Sequence, residues 1–344
     1  MHKVIVVTAA GRRKYLELLK HYILNEDSID AWHLWENCRN DADRAYLYEL
    51  ERSSTKVSII TMPGSDGTNR SVNRFYVKCR DPNAFYIKMD DDIVYISQGF
   101  GRRLYEKALN EKEKFSWWSP LVINNALCTW LLKYHGFIHI GNALSAQAGC
   151  VFGWRSPEFS QALHELFLQA ASEGHLSPFR VPDFEVSLSR FSINCIGFFG
   201  DFVARFTEAE FCPPHVDDEE WISAVLPSRS GKPGRILGDI LVSHFSYFTQ
   251  ERGLLASDIL EKYYRLAGLS MDPSYGYLSK EPLKVGLRRW LLNRLLGGEQ
   301  KPDIRLMGPH GDLVGKQSKT SALILKSSAD DGFDPANAAL LMDE

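Results

Sequence analysis

Three carboxylates stand in a row at Asp90, Asp91 and Asp92, inside the segment AFYIKMDDDIVYIS that runs from 84 to 97. Neighbouring carboxylates repel one another, and the end of a buried strand has no structural need for three of them. A cation lying between them removes the conflict. Hard divalent ions take oxygen ligands and commonly keep part of their coordination for phosphate. These residue types therefore suit a Mg2+ or Mn2+ site that holds a diphosphate. The plain alternative is a solvated acidic turn. Position favours the metal, and position depends on the elements around the triplet.

Those elements alternate. KVIVVTAA (3–10) is a short β-branched run closed by Gly11, which predicts a buried strand. Tyr15, Leu18, Leu19 and Tyr22 then recur at helical spacing up to Leu24. DAWHLWEN (30–37) predicts a second strand, 41–52 a second helix, and KVSIITMP (56–63) a third strand ended by Pro63-Gly64. The polar loop GSDGTNRS (64–71) and a short helix near 71–79 lead into the strand that carries the acids. Alternation of this kind predicts a parallel sheet covered by helices. In such sheets ligands gather beyond the carboxyl ends of the strands, where the triplet falls.

Further along, 98–112 reads as helix, 116–125 as extended chain, and ALSAQAGCVFGW (143–154) as a small-residue strand and loop. Residues 156–174 carry the marks of a complete helix. Ser156 is placed to cap it, Pro157 suits its first position, and Gly174 suits its end. Phe159, Leu163, Leu166, Phe167 and Ala170 form its apolar stripe. A helix near 218–225, the loop PSRSGKPGR (227–235), a strand-like run at 236–248 and helices at 257–267 and 283–296 follow. Beyond about 300 the pattern is lost.

The chain has 344 residues, a net charge of −3, 44% hydrophobic and 24% charged residues. That composition is ordinary for a soluble globular protein, and the charge gives no case for a nucleic-acid partner. Six widely spread cysteines contain no CxxC pair, so reduced thiols are expected rather than zinc ligands or disulfides. No apolar run is long enough for a membrane span, and the basic residues of MHKVIVVTAAGRRK follow the apolar stretch instead of preceding it as in a signal peptide. A cytoplasmic protein is the expectation.

With FYIKMDDD at the end of a fourth strand, the opening VIVVTAAGRR and the Asn-containing stretch before the pre-strand helix, the chain resembles metal-dependent glycosyltransferases of the GT-A fold. The likeness covers about 1–250 in layout and is specific at 84–96. It implies a mixed, mostly parallel α/β sheet with helices on both faces, plus C-terminal helices. It also implies a division into a nucleotide-sugar-binding half (1–97), an acceptor-binding and catalytic half of the same domain (98–255), a helical extension (256–298) and an irregular tail (299–344). On this resemblance Asp90 and Asp92 are the outer acids of the Asp-x-Asp motif. Asp92 would ligate Mn2+ or Mg2+, Asp90 would share the metal or contact the ribose, and Asp91 would take the free middle position near the donor. Thr8, Ala9, Gly11 and Arg12 would lie against the nucleotide. Glu36 would reach the base or ribose, and Asn69, Arg70 and Asn73 would contact the donor. A late histidine often completes such sites. His244 follows an apolar run and alternates onto its more polar face; His139 and His215 are rivals.

Transfer with inversion also needs a general base beside the acceptor. The resemblance places it at the acidic helix start of PPHVDDEEWISAVL, with Asp218 as the base and Asp217 and Glu219 beside it. Acids are favoured in any first helical turn, which is the plain alternative. Asp183 and Glu185 form a second candidate pair. Trp117, Trp118, Asn124, Asn125 and Trp154 fall in the segment where the family builds its sugar pocket, and Gly149 where it brings backbone close to the donor sugar. For each tryptophan, core packing is the ordinary fate.

The implied function is transfer of a sugar from a nucleotide-diphosphate sugar, UDP-linked by family analogy, to a hydroxyl of a glycan or glycolipid during surface-glycan synthesis. One alternative is a sugar nucleotidyltransferase, although TAAGRRKY has a single glycine where those enzymes carry a Gly-rich basic loop. Another is a carbohydrate-binding protein without catalysis. A helix at 282–298 carries Leu283, Leu287, Trp290, Leu291 and Leu295 with Lys284, Arg288, Arg289 and Arg294. It would either pack on the catalytic domain or rest on the anionic inner face of a membrane.

Overall fold

The computed structural model describes residues 2–141, 144–207, 210, 216–275, 304–307 and 313–314. The first apolar runs form Lys3–Ala10 (β1), Ala31–Glu36 (β2), Val57–Ile60 (β3) and Ala84–Asp90 (β4). Helices Arg13–Leu24 (α1) and Asp41–Ser53 (α2) link the first three, because parallel neighbours need a crossover. A short helix, Asn69–Val72 (α3), and a 3-10 turn, Asn73–Lys78, lead into β4. β1 lies between β2 and β4 and runs parallel to both, with Ala9 beside Asp90.

After a turn at Asp91–Asp92 the chain continues as Ile93–Ile96 (β5), Phe100–Asn110 (α4), Trp117–Ile123 (β6), Ala126–Tyr134 (α5), Ile138–Ile140 (β7), Val151–Arg155 (α6) and Pro157–Ser172 (α7). Then come Phe184–Val186 (β8), Cys195–Phe199 (β9) and Gly200–Ala204 (α8). Asp218–Glu220 (α9), a π-turn at Trp221–Val225 and Leu226–Ser230 (α10) precede Gly234–His244 (β10). Glu251–Leu255 (α11), Ile259–Leu266 (α12), Ile304–Met307 (β11) and Leu313–Val314 (β12) complete the described elements.

The main sheet has the order β3-β2-β1-β4-β9-β6-β10-β5, with β8 also on β10; β12-β11-β7 form a small second sheet. β3, β2, β1, β4, β6 and β10 run one way, and β9, β5 and β8 run against them. This is the expected mixed, mostly parallel sheet flanked by helices. Two pairings shape its carboxyl end. β9 runs antiparallel to β4 with Met89 opposite Cys195, and β5 runs antiparallel to β10 with Ile93 opposite His244. The acidic turn therefore joins a strand in the middle of the sheet to one at its edge.

Trp117 and Trp118 are buried core residues of β6; Trp117 stacks on Phe191 and donates its Nε1 to the Ser223 carbonyl at 3.2 Å. The Trp117 ring passes so close to Gly234 that a Cβ there would meet it at 2.0 Å, so this register of β6 on β10 requires glycine. The strand expected within 143–154 is absent among the described residues, and α6 occupies 151–155 instead. Its small residues suit close helix packing, with Gly153 against Ala126 and Leu144. Within VPDFEVSL, Phe184–Val186 form β8. Helix α7 starts as the sequence predicts, with Ser156 Oγ accepting from Phe159 N at 3.1 Å and Pro157 in its first turn. Cys38, Cys79, Cys128, Cys150 and Cys195 are buried free thiols.

The stripe of α7 also buries His164, which sits between Tyr263 Oη at 2.8 Å and the Phe245 carbonyl at 2.9 Å. Burial lowers its pKa to about 4. Because the unfolded chain protonates nearer the ordinary histidine value, stability is expected to fall as pH drops below about 6.5 and to level off near 4. The loss amounts to about 3 kcal/mol. Urea titrations of the wild type and His164→Gln between pH 7 and 4 check this; equal slopes with pH would refute it.

The predicted helix at 283–296, with the membrane contact assigned to it, and most of the tail lie outside the described residues. Among the described residues no helix is long and apolar enough to cross a membrane.

Candidate metal centre

The acidic turn is held first by the protein's own cations. Lys88, buried within β4, donates from Nζ to Asp90 Oδ1 and to the Ile193 carbonyl at 3.0 Å. Arg12, at the end of the β1 loop, binds Asp91 through Nε at 3.0 Å and through Nη2, which also lies 3.1 Å from Asp92 Oδ2. Its other end reaches Glu251, which also bonds the Tyr15 hydroxyl at 2.8 Å and Lys14 at 3.2 Å. Asp91 is thus not free. It takes Arg12 on one oxygen and the Gly11 amide on the other at 3.1 Å. Gly11 is required there, since a Cβ would stand 2.7 Å from the Asn37 carbonyl.

Asp90 and Asp92 each turn one oxygen toward His244. The Ile93–His244 register carries the imidazole to the turn, and Phe245 N donates to the Asp92 carbonyl at 2.9 Å. His244 Nε2 lies 3.4 Å from Asp92 Oδ1 and 3.9 Å from Asp90 Oδ2. One ligand atom from each of Asp90, Asp92 and His244 falls within 4.8 Å of the others. Asp92 Oδ1 is buried and accepts no hydrogen bond, and His244 Nδ1 is buried without a partner. Burying unsatisfied polar atoms is costly, and two oxygens with an imidazole nitrogen form a donor set for Mn2+ or Mg2+. The residues fit such an ion. Burial acts to raise the Asp92 carboxyl, but Arg12 and His244 outweigh it and hold the group below the usual carboxylate range. Asp92 is thereby favoured in its ionised form, and the same contact raises the proton affinity of His244.

Asp218 lies on the same side of the sheet end. Tyr76 Oη is 3.4 Å from its Oδ2. Burial raises its pKa; Lys88 works against that, and Asp90 and Asp217 add to it. Asp217 instead caps α9, accepting from Glu220 N at 2.8 Å, and pairs with Arg190 at 2.6 Å. Glu219 also pairs with Arg190, at 2.7 Å. The acids flanking Asp218 are thus tied to cap and ion pair, while its own carboxylate faces Lys88 and Asp90 electrostatically. Asp183 is engaged by Lys107 and by the Gly238 amide in an ion network beside β10, and Glu185 is exposed on β8.

Other predicted contacts divide. Thr8 is interior, not nucleotide-facing: it is fully buried and accepts from Trp32 Nε1 at 3.0 Å. Ala9 is partly buried beside Asp90. Glu36 ends β2, pairs with Arg44 at 2.6 Å, and lines a cavity of about 120 Å³ with Cys38, Arg44, Thr61, Met62 and Ser65. Asn73 is buried and donates to the Val216 carbonyl at 3.0 Å, which ties it to the loop before Asp217. Asn69 and Arg70 lie in α3, and their side chains lie outside the described residues. Of the rival histidines, His139 belongs to the small sheet, opposite Arg305, and His215 lies outside the described residues. Asn124 and Asn125 are buried supports: Asn124, at φ 64°, donates to the Phe245 carbonyl at 3.0 Å and so holds the strand end after His244. Trp154 meets the exposed Phe248 edge-on, with ring centres 5.1 Å apart, and Gly149 is exposed with open space at its Cβ position. Lys88 and Asn194 were missed; a lysine inside an apolar strand two residues before Asp90 is the one signal that pointed to either.

No family model and no curated protein matches the chain. Among solved structures it is similar to 4-diphosphocytidyl-2C-methyl-D-erythritol synthase from Anaerococcus prevotii, with 11% identity, 74% of this chain and 93% of that one covered, and a TM-score of 0.38. It is also similar to the mannosyltransferase PcManGT of Pyrobaculum calidifontis, determined with GDP-Man and Mn2+, with 8% identity, 77% and 64% covered, and a TM-score of 0.43.

Proposed function

We propose that this protein is a metal-dependent glycosyltransferase. It would move a sugar from a nucleotide-diphosphate sugar to a hydroxyl of a glycan or glycolipid, with inversion. One observation carries the reading: Asp90, Asp92 and His244 converge with an unsatisfied Asp92 oxygen, and a partly buried Asp218 of raised proton affinity stands near them.

Each residue then has a task. Asp90, Asp92 and His244 hold a divalent cation, which when bound neutralises the diphosphate and stabilises it as a leaving group. The cavity at Glu36 receives the nucleoside, with the end of β1 between it and the acids. Asp218 accepts the proton of the incoming hydroxyl; its raised affinity makes it a stronger base than an exposed carboxylate. The hydroxyl oxygen bonds to the anomeric carbon from the face opposite the diphosphate, the bond from that carbon to the phosphate oxygen breaks, and the electron pair leaves with the diphosphate. Arg12 and Lys88 keep the acidic turn folded when no donor is bound.

Thermal unfolding with MnCl2 and UDP, GDP or CMP tests the reading. A ligand at a hundredfold excess over its Kd adds about 2.7 kcal/mol, so the midpoint is expected to rise only when metal and one nucleotide are both present. No rise with any pair of metal and nucleotide would overturn it.

A further inference from the structure

Asp90 is gripped by a side chain that no catalytic reading requires. Asn194 directly precedes β9, beside the end of β4. Its carbonyl accepts from Asp90 N at 2.9 Å, and its Nδ2 donates to Asp90 Oδ2 at 3.1 Å. That oxygen is the one facing His244. An amide can turn over and present its oxygen instead, which would repel the carboxylate, so something must fix its direction.

Asn125 does so. It caps α5, with Oδ1 accepting from Cys128 N at 3.2 Å, and this leaves its Nδ2 to point away from the helix. That nitrogen donates to the Ser192 carbonyl at 2.9 Å and to Asn194 Oδ1 at 3.0 Å. Tyr247 Oη lies 3.5 Å from the same Asn194 oxygen, and the Tyr247 ring packs edge-on against His244 with centres 4.9 Å apart. The helix amide orients Asn125, Asn125 orients Asn194, and Asn194 orients Asp90. Asn125 and Asn194 are both buried, so water does not compete for these bonds.

We propose that Asn194 is a positioning residue for the metal centre and that Asn125 acts through it, so that the cap of α5 sets the aim of Asp90. The inference rests on the metal reading above and goes beyond it, to the residues that pre-set a ligand before the ion arrives. Outer-shell partners of this kind typically change metal affinity 10- to 100-fold when removed.

The test is Mn2+ affinity of the full chain, without donor or acceptor, read from the electron paramagnetic resonance signal of free Mn2+ well below the unfolding midpoint. Asn194→Ala is expected to weaken binding about 10- to 100-fold. Asn125→Ser keeps a capping oxygen but loses the amide donor, and should weaken binding to a similar extent although it touches no ligand. The double variant should bind no more weakly than Asn194→Ala alone, since the two residues act in series. Wild-type affinity in Asn194→Ala, or losses that multiply in the double variant, would overturn the proposal. If Asn194→Ala does not fold, wild-type affinity in Asn125→Ser overturns it. Wild-type protein that binds no Mn2+ would instead remove the metal reading, and this inference with it.

Discussion

Asp92→Asn is expected to reduce turnover at least about 10³-fold, a barrier increase of about 4 kcal/mol. The change keeps the shape of the side chain and removes its charge. Asp92 supplies the buried oxygen without a hydrogen bond, and it is the acid that Arg12 and His244 keep ionised. An amide there ligates a hard cation poorly and loses its attraction to both neighbours. Metal-dependent stabilisation by nucleotide should disappear with it. Breaking a buried ion pair also lowers stability, by about 3 kcal/mol or more, so circular dichroism must show the variant folded at the assay temperature. Metal-dependent sugar transfer by a folded Asp92→Asn protein at near wild-type rate would end the proposal for this centre.

Asp218→Asn should behave differently. Nucleotide and metal binding are expected to stay near wild type, while turnover falls about 10²- to 10⁴-fold, the usual range for a general base. Its sign with pH is fixed by the raised proton affinity. The base works only when ionised, so activity should fall with acidification, beginning above the ordinary carboxylate range, because burial pushes the proton affinity up. The variant should lose that acid limb. Asp217→Asn is the control: asparagine still caps the helix and only the half-exposed Arg190 pair is lost, so stability falls by no more than about 1 kcal/mol and turnover changes little. Equal losses of turnover in the two variants would deny Asp218 its special role.

Much of the frame around these residues is legible in the sequence, for physical reasons. β1 to β4 are continuous β-branched or aromatic runs with helical spacing between them, and runs that short and apolar have few other folds open to them. The Ser156-Pro157 start of α7 is a local signal and forms locally. The acids stand out because they cluster at a strand end, where ligands collect, and His244 because the resemblance asks for a late histidine and this one follows an apolar run.

What stayed hidden depends on contacts between distant segments. The middle acid is committed to Arg12 and Gly11, and only the path of the β1 loop shows it. Thr8 faces Trp32 because of the β1–β2 register, which no local pattern records. β9 escaped notice because CIGFF is short and carries a glycine, yet it places Asn194 against Asp90. Lys88 reads as an interruption of an apolar run until its partners are in place.

The join between Ile93 and His244 has a further consequence. The three candidate ligands come from chain segments that meet only when β5 has closed onto β10, a pairing of high sequence separation. Such contacts form late, because the loop between them must be ordered first. A partly folded chain can hold β1 to β4 and still lack the imidazole. Affinity for the ion would then be the last property to emerge during refolding, and the capture of Mn2+ would report that the whole sheet has shut.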